Sequence, residues 1–119
     1  MSGLKLSGLP PSAQLERHPF SAQSFIPLRQ TRYLVAVALG DACGLPDLES
    51  LRAFIAGPHQ GVCYRPGIWH HRLTALDAPT EFAVFMAITR HSDDDEFRDL
   101  SSALEVVDIN SPGGERHGR

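Results

Sequence analysis

The chain has little sulfur, no long apolar run and no excess of one charge, and each shortage removes a class of protein. Its 119 residues hold only two cysteines, Cys43 and Cys63. Their positions match no metal-ligand spacing, and two free thiols in a reducing cytoplasm are expected. Apolar stretches such as Tyr33–Leu39 are strand-sized, far below the roughly 20 residues of a membrane helix. Met1–Leu6 carries one lysine but no apolar stretch of roughly 7–15 residues, so no secretory leader is expected. The formal net charge of −3, with acids and bases intermingled, gives no basic footprint for nucleic acid. Acids cluster only at Asp93–Glu96, which reads as a solvated loop. No segment repeats. One domain is expected, able to bury roughly two-thirds of its unfolded surface.

Chemistry is concentrated between Gly61 and Leu73, in the order Gly-Val-Cys-Tyr-Arg-Pro-Gly-Ile-Trp-His-His-Arg-Leu. Pro66-Gly67 is a turn signal between two short apolar-leaning runs. The second run holds the only tryptophan and the adjacent His70 and His71. Neighbours in a strand point to opposite faces, so one of the two should face the interior. An imidazole aimed into a cavity can bind a metal, move a proton or hydrogen-bond at neutral pH.

Around this stretch the chain reads as short strands separated by proline and glycine turns. Residues 1–13 read as a flexible arm, 14–110 as one barrel domain and 111–119 as a disordered tail. Gln14–His18 and Gln23–Leu28 are short strands, each punctuated by a proline. Tyr33–Leu39 is apolar on both faces and should be central and buried. Pro46–Gly57 has Leu48, Leu51, Phe54 and Ile55 at helical spacing, acids in its first turn and Gly57-Pro58 at its end, which predicts the one helix. Gln60–Tyr64, Trp69–Ala75, Glu81–Thr89 and Ala103–Ile109 are further strands, with Glu81–Thr89 expected to be buried. The pattern predicts an all-β barrel of jelly-roll type with one short α-helix, whose mouth could admit a small ligand.

The candidate site residues are His18, Gln23, Tyr64, His70 and His71, with Arg65 and Arg72 flanking the turn. Either arginine could clamp a carboxylate. His59, His91 and His117 read as solvated. Cys63 lies mid-strand without an evident base. His18 and Gln23 across a short turn, followed by His70 after Pro66-Gly67, look like a worn form of the two-part cupin signature. A metal on His18, Gln23 and His70 is one expectation, although an uncharged glutamine is a poor ligand for a transition metal.

The stretches Leu15–Leu28, Val35–Gly40, Pro46–Ile55 and Gly61–Leu73, in this order and spacing, resemble the ureidoglycolate lyase family of allantoin and purine degradation. The pairing of Glu-Arg-His-Pro at 16–19 with Trp-His-His at 69–71 is the specific part of the match. Arg72 stands where the family usually has proline, and Met86-Ala87 where an Asp-Arg pair often follows the last core strand. The resemblance implies a cupin-like barrel, often a homodimer, that eliminates urea from ureidoglycolate to give glyoxylate. It implies that His18, Gln23, Tyr64, His70 and His71 line the pocket, and it brings an association with nickel.

That reaction needs a base for a hydroxyl proton and an acid for a departing nitrogen. The expected base is His70, or His71 if the register is reversed. His18 or Tyr64 would be the acid, and Arg65 or Arg72 would hold the carboxylate. The competing expectations are a non-catalytic or differently specific cupin that binds a small carboxylate, and a metal-dependent cupin enzyme. The expected partners are the small-molecule substrate and a second copy of the chain, with no nucleic acid or membrane.

Overall fold

A strand that is apolar at every position must be covered on both faces. Tyr33–Ala38 is such a strand, and all but one of its residues are buried. It lies at the centre of the computed structural model, which describes residues 3–7, 14–87, 89–90, 92–100 and 105–108.

In chain order the strands are β1 (Gly3–Ser7), β2 (Gln14–Arg17), β3 (Gln23–Pro27), β4 (Tyr33–Ala38), β5 (Arg52–Ala56), β6 (Val62–Tyr64), β7 (Trp69–His71), β8 (Thr74–Ala75), β9 (Phe82–Met86), β10 (Glu96–Asp99) and β11 (Glu105–Asp108). They form two antiparallel sheets. The larger runs β10-β2-β7-β4-β5-β1-β11, with β8 also paired to β4, and the smaller runs β6-β3-β9. Tyr33, Val35 and Ala56 from the large sheet and Tyr64 from the small one share an apolar interior, with Phe25, Val37, Ile68 and Phe82 packed against it. The opposite face of the large sheet buries two further clusters, Leu34, Ala36 and Ala53, and Leu15, Ala38, Trp69 and Leu100. This all-β, two-sheet arrangement agrees with the cupin-like fold expected from the sequence.

Three expectations need correction or completion. Over Pro46–Gly57 the structure has no α-helix but a single 3-10 turn at Leu48–Ser50, capped by Asp47, and then β5. β5 pairs along its length with β4, from Tyr33↔Ala56 to Val37↔Arg52, and with β1 on its other side. Leu51, Ala53 and Ile55 pack on one face, so a period of two fits the segment as well as a helical period does. Pairing with a central strand then overrides the weak local preference.

The stretch expected as a buried strand, Glu81–Thr89, supplies β9, which is the edge of the small sheet. Val84 and Phe85 are 50% and 58% exposed. An apolar run is consistent with burial but does not supply the strand that would cover it. Finally, Gly3–Ser7, within the stretch read as a loose arm, is β1, hydrogen-bonded to β5 and β11. The alternating Leu4-Lys5-Leu6 suits a strand, and pairing with β5 and β11 orders it. The rest of the arm and the expected tail at 111–119 lie outside the described residues.

Candidate functional site

The site is built on one rung of the large sheet. Glu16 on β2 is paired with His70 on β7, and His70 with Val37 on β4. Directly paired residues of antiparallel strands share a face. Val37 packs into the interior, so His70 and Glu16 face the interior too. His71 is paired with Leu15 and takes the opposite face.

His18 follows β2 by one residue and is held by the turn that precedes β7. Gly67 has φ of 83°, a conformation open to glycine but strained for other residues. That turn closes through Ile68 N–H donating to the Arg65 carbonyl at 3.2 Å, and it frees the Gly67 N–H to donate to the His18 carbonyl at 2.9 Å. The Pro-Gly turn thereby ties the two histidine segments together.

The side chains converge. One donor atom from each of Glu16, His18 and His70 lies within 4.8 Å of the others. The His18 and His70 rings are 6.0 Å apart. Tyr64 stacks on His70 at 4.0 Å with the rings 1° from parallel, and Gln23 is the cross-strand partner of Tyr64. Four buried polar atoms among the described residues have no hydrogen-bond partner: His18 Nε2, Gln23 Oε1, the Tyr64 hydroxyl and His70 Nε2. Buried polar groups are ordinarily satisfied, so four orphans in one cluster mark a place built to receive a ligand.

The far side of His18 is fixed. Its Nδ1 lies 2.8 Å from the Asp94 carbonyl and 3.1 Å from Asp95 Oδ1. Nδ1–H therefore donates backward, and Nε2 presents its lone pair to the pocket. The Asp94 carboxylate accepts from Phe20 N–H at 2.7 Å and from the Ser21 hydroxyl at 2.5 Å. Arg17 meets Glu96 at 2.6 Å. The acidic run at 93–96 is thus no free solvated loop: Asp94 is buried and clasps the turn after His18. Phe20 and Ser21 lie far away in sequence, where local reading could not find them.

Environment sets the protonation states. Burial pushes the His70 imidazole down to about 4, with the His18 charge acting the same way, while a hydrogen bond to the His71 backbone opposes. Burial raises the Tyr64 phenol far above its ordinary value, so it stays protonated. Burial, then a hydrogen bond that the protonated carboxyl donates to Asp95, raises Glu16. The Asp94 carboxyl is held below the usual range by the Ser21 hydroxyl, the Phe20 N–H and the His18 charge, against the effect of burial.

A carboxyl depressed in the folded state stabilises the fold above its ordinary value, near pH 4, and loses that contribution as pH falls through the lower folded value. Asp94→Asn should therefore have a lower urea midpoint than the parent at neutral pH, with the gap narrowing below about pH 4. A gap that stays constant from neutral pH to pH 3 would contradict the latch. His70 adds an earlier loss in both proteins as pH falls from 6.5 towards about 4, because the unfolded ring protonates first.

The structure brings together four of the expected residues, His18, Gln23, Tyr64 and His70. It leaves His71 on the other face, with Nδ1 at 2.9 Å from the Arg72 carbonyl. Arg65 and Arg72 are exposed, as are His59, Cys43 and Cys63, while His91 and His117 lie outside the described residues. Glu16, Asp94 and Asp95 were not expected. Glu16 carried a signal, since an i, i+2 spacing puts Glu16 and His18 on one side of a strand.

A family model described as ureidoglycolate lyase matches residues 10–106. Among curated proteins, one of Agrobacterium fabrum, provisionally named a ureidoglycolate lyase, is 41% identical over 101 residues, which is 85% of this chain and 62% of that protein. The ureidoglycolate lyases of Escherichia coli O1:K1 and Salmonella paratyphi B are 49% and 48% identical over 69 residues, in each case 58% of this chain and 42% of the relative. The matches thus span between about two-fifths and three-fifths of these relatives.

Proposed function

The chain belongs to the ureidoglycolate lyase family, and on that premise we propose that it releases urea and glyoxylate from ureidoglycolate, a step of allantoin degradation. The observation that carries the reading is the cluster of partnerless polar atoms at His18, Gln23, Tyr64 and His70. Ureidoglycolate is a carbinolamide: one carbon bears a hydroxyl, a carboxylate and a ureido nitrogen. It brings O–H and N–H donors to ring nitrogens and an amide oxygen that lack them, and a carbonyl to the Tyr64 hydroxyl.

In this reading His18 is the base. Its Nδ1–H is committed to Asp94 and Asp95, so Nε2 takes the proton from the substrate hydroxyl. The O–H electron pair becomes the second bond of the new carbonyl, the C–N bond breaks, and its pair goes to nitrogen. The His18 imidazolium returns the proton to that nitrogen, and urea leaves. Hydroxyl and leaving nitrogen share a carbon, so one imidazole serves both transfers, and such transfer contributes roughly 10²–10⁴-fold. His70, neutral above pH of about 4, accepts a ureido N–H and orients the group. Tyr64, kept protonated by burial, donates to a substrate oxygen.

Glu16, His18 and His70 also suit a divalent cation such as nickel, since two imidazoles and a carboxylate form a conventional donor set. A cation bound there would take up the pocket-facing nitrogens of His18 and His70, so it is the alternative to proton transfer by His18, and it would act as a Lewis acid on a substrate oxygen. Glu16 is a better partner for it than Gln23, because it carries charge. The reading extends to a cytoplasmic homodimer. The exposed thiols suit a reducing compartment, and the exposed apolar edge at Val84 and Phe85 suits coverage by a second copy.

Glyoxylate release from ureidoglycolate, followed with and without a chelator, tests the reading. Turnover at an enzymatic rate is the expected result. Loss with chelator and recovery with nickel would assign the cation, and no turnover with or without added metal would refute the lyase.

A further inference from the structure

The two sheets run in the same order over the site. β6 leads into β7, β2 into β3 and β9 into β10, so the small sheet β6-β3-β9 follows the β7-β2-β10 part of the large one. Tyr64 on β6 stacks on His70 of β7 at 4.0 Å, which fixes the first step of that alignment. Register then carries both layers outward. Tyr64 is paired with Gln23, and Gln23 with Met86 on β9. His70 is paired with Glu16, and Glu16 with Phe97 on β10. Directly paired residues share a face. Met86 and Phe97 are therefore on the interior face, each one strand spacing, about 4.8 Å, beyond a site residue.

Both are apolar, both are in edge strands, and they are 37% and 46% exposed. Side chains on an interior face that stay this exposed mark the open side of the site. The other side is filled. Phe25 meets the rings of Tyr64 and His70 edge-on at 5.9 and 6.5 Å, and Val37 packs beyond His70. A carbinolamide with its hydroxyl on His18 and its ureido N–H on His70 thus points its remaining substituent outward, past Glu16 and Gln23 toward Met86 and Phe97. Of those four side chains only Glu16 is ionisable, and it is an acid. The path offers no cation to a carboxylate and two apolar lips to an alkyl group.

We propose that Met86 and Phe97 form an apolar substituent subsite, so that the substrate class extends to carbinolureas with an alkyl or haloalkyl group in place of the carboxylate. The proposal rests on the lyase reading for the bond that breaks, and it names the group on the reacting carbon. The chemistry balances as before. The O–H electron pair becomes the second bond of an aldehyde, the C–N pair goes to nitrogen, the proton returns there and urea leaves. The alkyl group takes no part beyond filling the subsite, where each buried methylene is worth about fourfold in affinity.

Two pairs of probes separate the subsite from the lyase. For binding, isobutylurea and ureidoacetate share the ureido group and a branched end, one apolar and one anionic, and neither has the hydroxyl that cleavage needs. Both are titrated into the full chain by calorimetry. For turnover, the urea adduct of trichloroacetaldehyde is compared with ureidoglycolate by urea release. The parent should bind isobutylurea at least as tightly as ureidoacetate, and should cleave the adduct with kcat/KM within about tenfold of that for ureidoglycolate. Phe97→Ala should shift both preferences about three- to tenfold away from the apolar member. Met86→Lys, which places a cation in the outer row, should shift them further in the same direction. Isobutylurea binding that depends on Phe97 and Met86, in a chain that cleaves neither compound, would keep the subsite and remove the lyase. Cleavage of the adduct alone would keep the subsite and remove ureidoglycolate as substrate. Cleavage of ureidoglycolate but not the adduct, or preferences unmoved within twofold in both variants, would keep the lyase and overturn the subsite. Failure of the parent to bind isobutylurea would overturn the subsite whatever the turnover.

Discussion

Replacing His18 with alanine should lower kcat for ureidoglycolate by about two to four orders of magnitude, with the far-ultraviolet circular dichroism of a β-protein retained. The magnitude follows from its double role. The Nδ1 of His18 is committed to two acceptors, the Asp94 carbonyl and the Asp95 carboxylate. Its Nε2 is buried, partnerless and aimed at His70 and Glu16. Removing it takes away both proton transfers. His70 cannot replace it, because a ring whose protonated form survives only below about pH 4 is too weak a base at neutrality. Asp95→Asn should cost much less, since the Asp94 carbonyl still holds the ring. Activity within fivefold of the parent in His18→Ala would place the base elsewhere.

The largest effect on stability is expected at Trp69. The side chain is fully buried and packs with Leu15, Ala38 and Leu100 on the outer face of the large sheet. Its Nε1–H donates to the Gly44 carbonyl at 3.0 Å, and the Arg17 guanidinium lies 5.0 Å over the ring. Gly44 has φ of 83°, and an added Cβ there would stand 2.9 Å from Arg17 Nη2, so the loop that receives the indole is fitted closely. Trp69→Ala would leave a cavity and remove the indole donor from the half-buried Gly44 carbonyl, at a cost of about 3–5 kcal/mol. Against a typical total of roughly 5–15 kcal/mol, that brings the chain close to unfolding. Urea denaturation measures it, and a loss below about 1 kcal/mol would mean that the outer cluster is not a core. Trp69 immediately precedes His70 in β7, so the same variant should also loosen the site.

The parts of this molecule that were legible in the sequence are those written in short-range pattern. β4 reads from seven successive apolar residues, the Gly67 turn from Pro-Gly, and the opposite faces of His70 and His71 from strand alternation alone. The approach of His18, Gln23, Tyr64 and His70 to one another came from family resemblance, because their segments are brought together only by sheet pairing. The helix expected at Pro46–Gly57 failed where two periodicities fit one short apolar pattern and the partner strand decided between them. Asp94 was missed for a different reason. The segment it clasps, with His18, Phe20 and Ser21, lies more than 70 residues away, and a run of four acids reads as solvated until something is found to pack on it.

The central claim is that this cluster breaks the C–N bond of ureidoglycolate without hydrolysing the urea. The most direct measurement is a product balance on purified protein, with glyoxylate, urea and ammonia quantified from one reaction of known substrate input. The account predicts glyoxylate and urea in equal amounts, no ammonia, and loss of both products in His18→Ala. Ammonia released with glyoxylate, or product formation unaffected by His18→Ala, would contradict it.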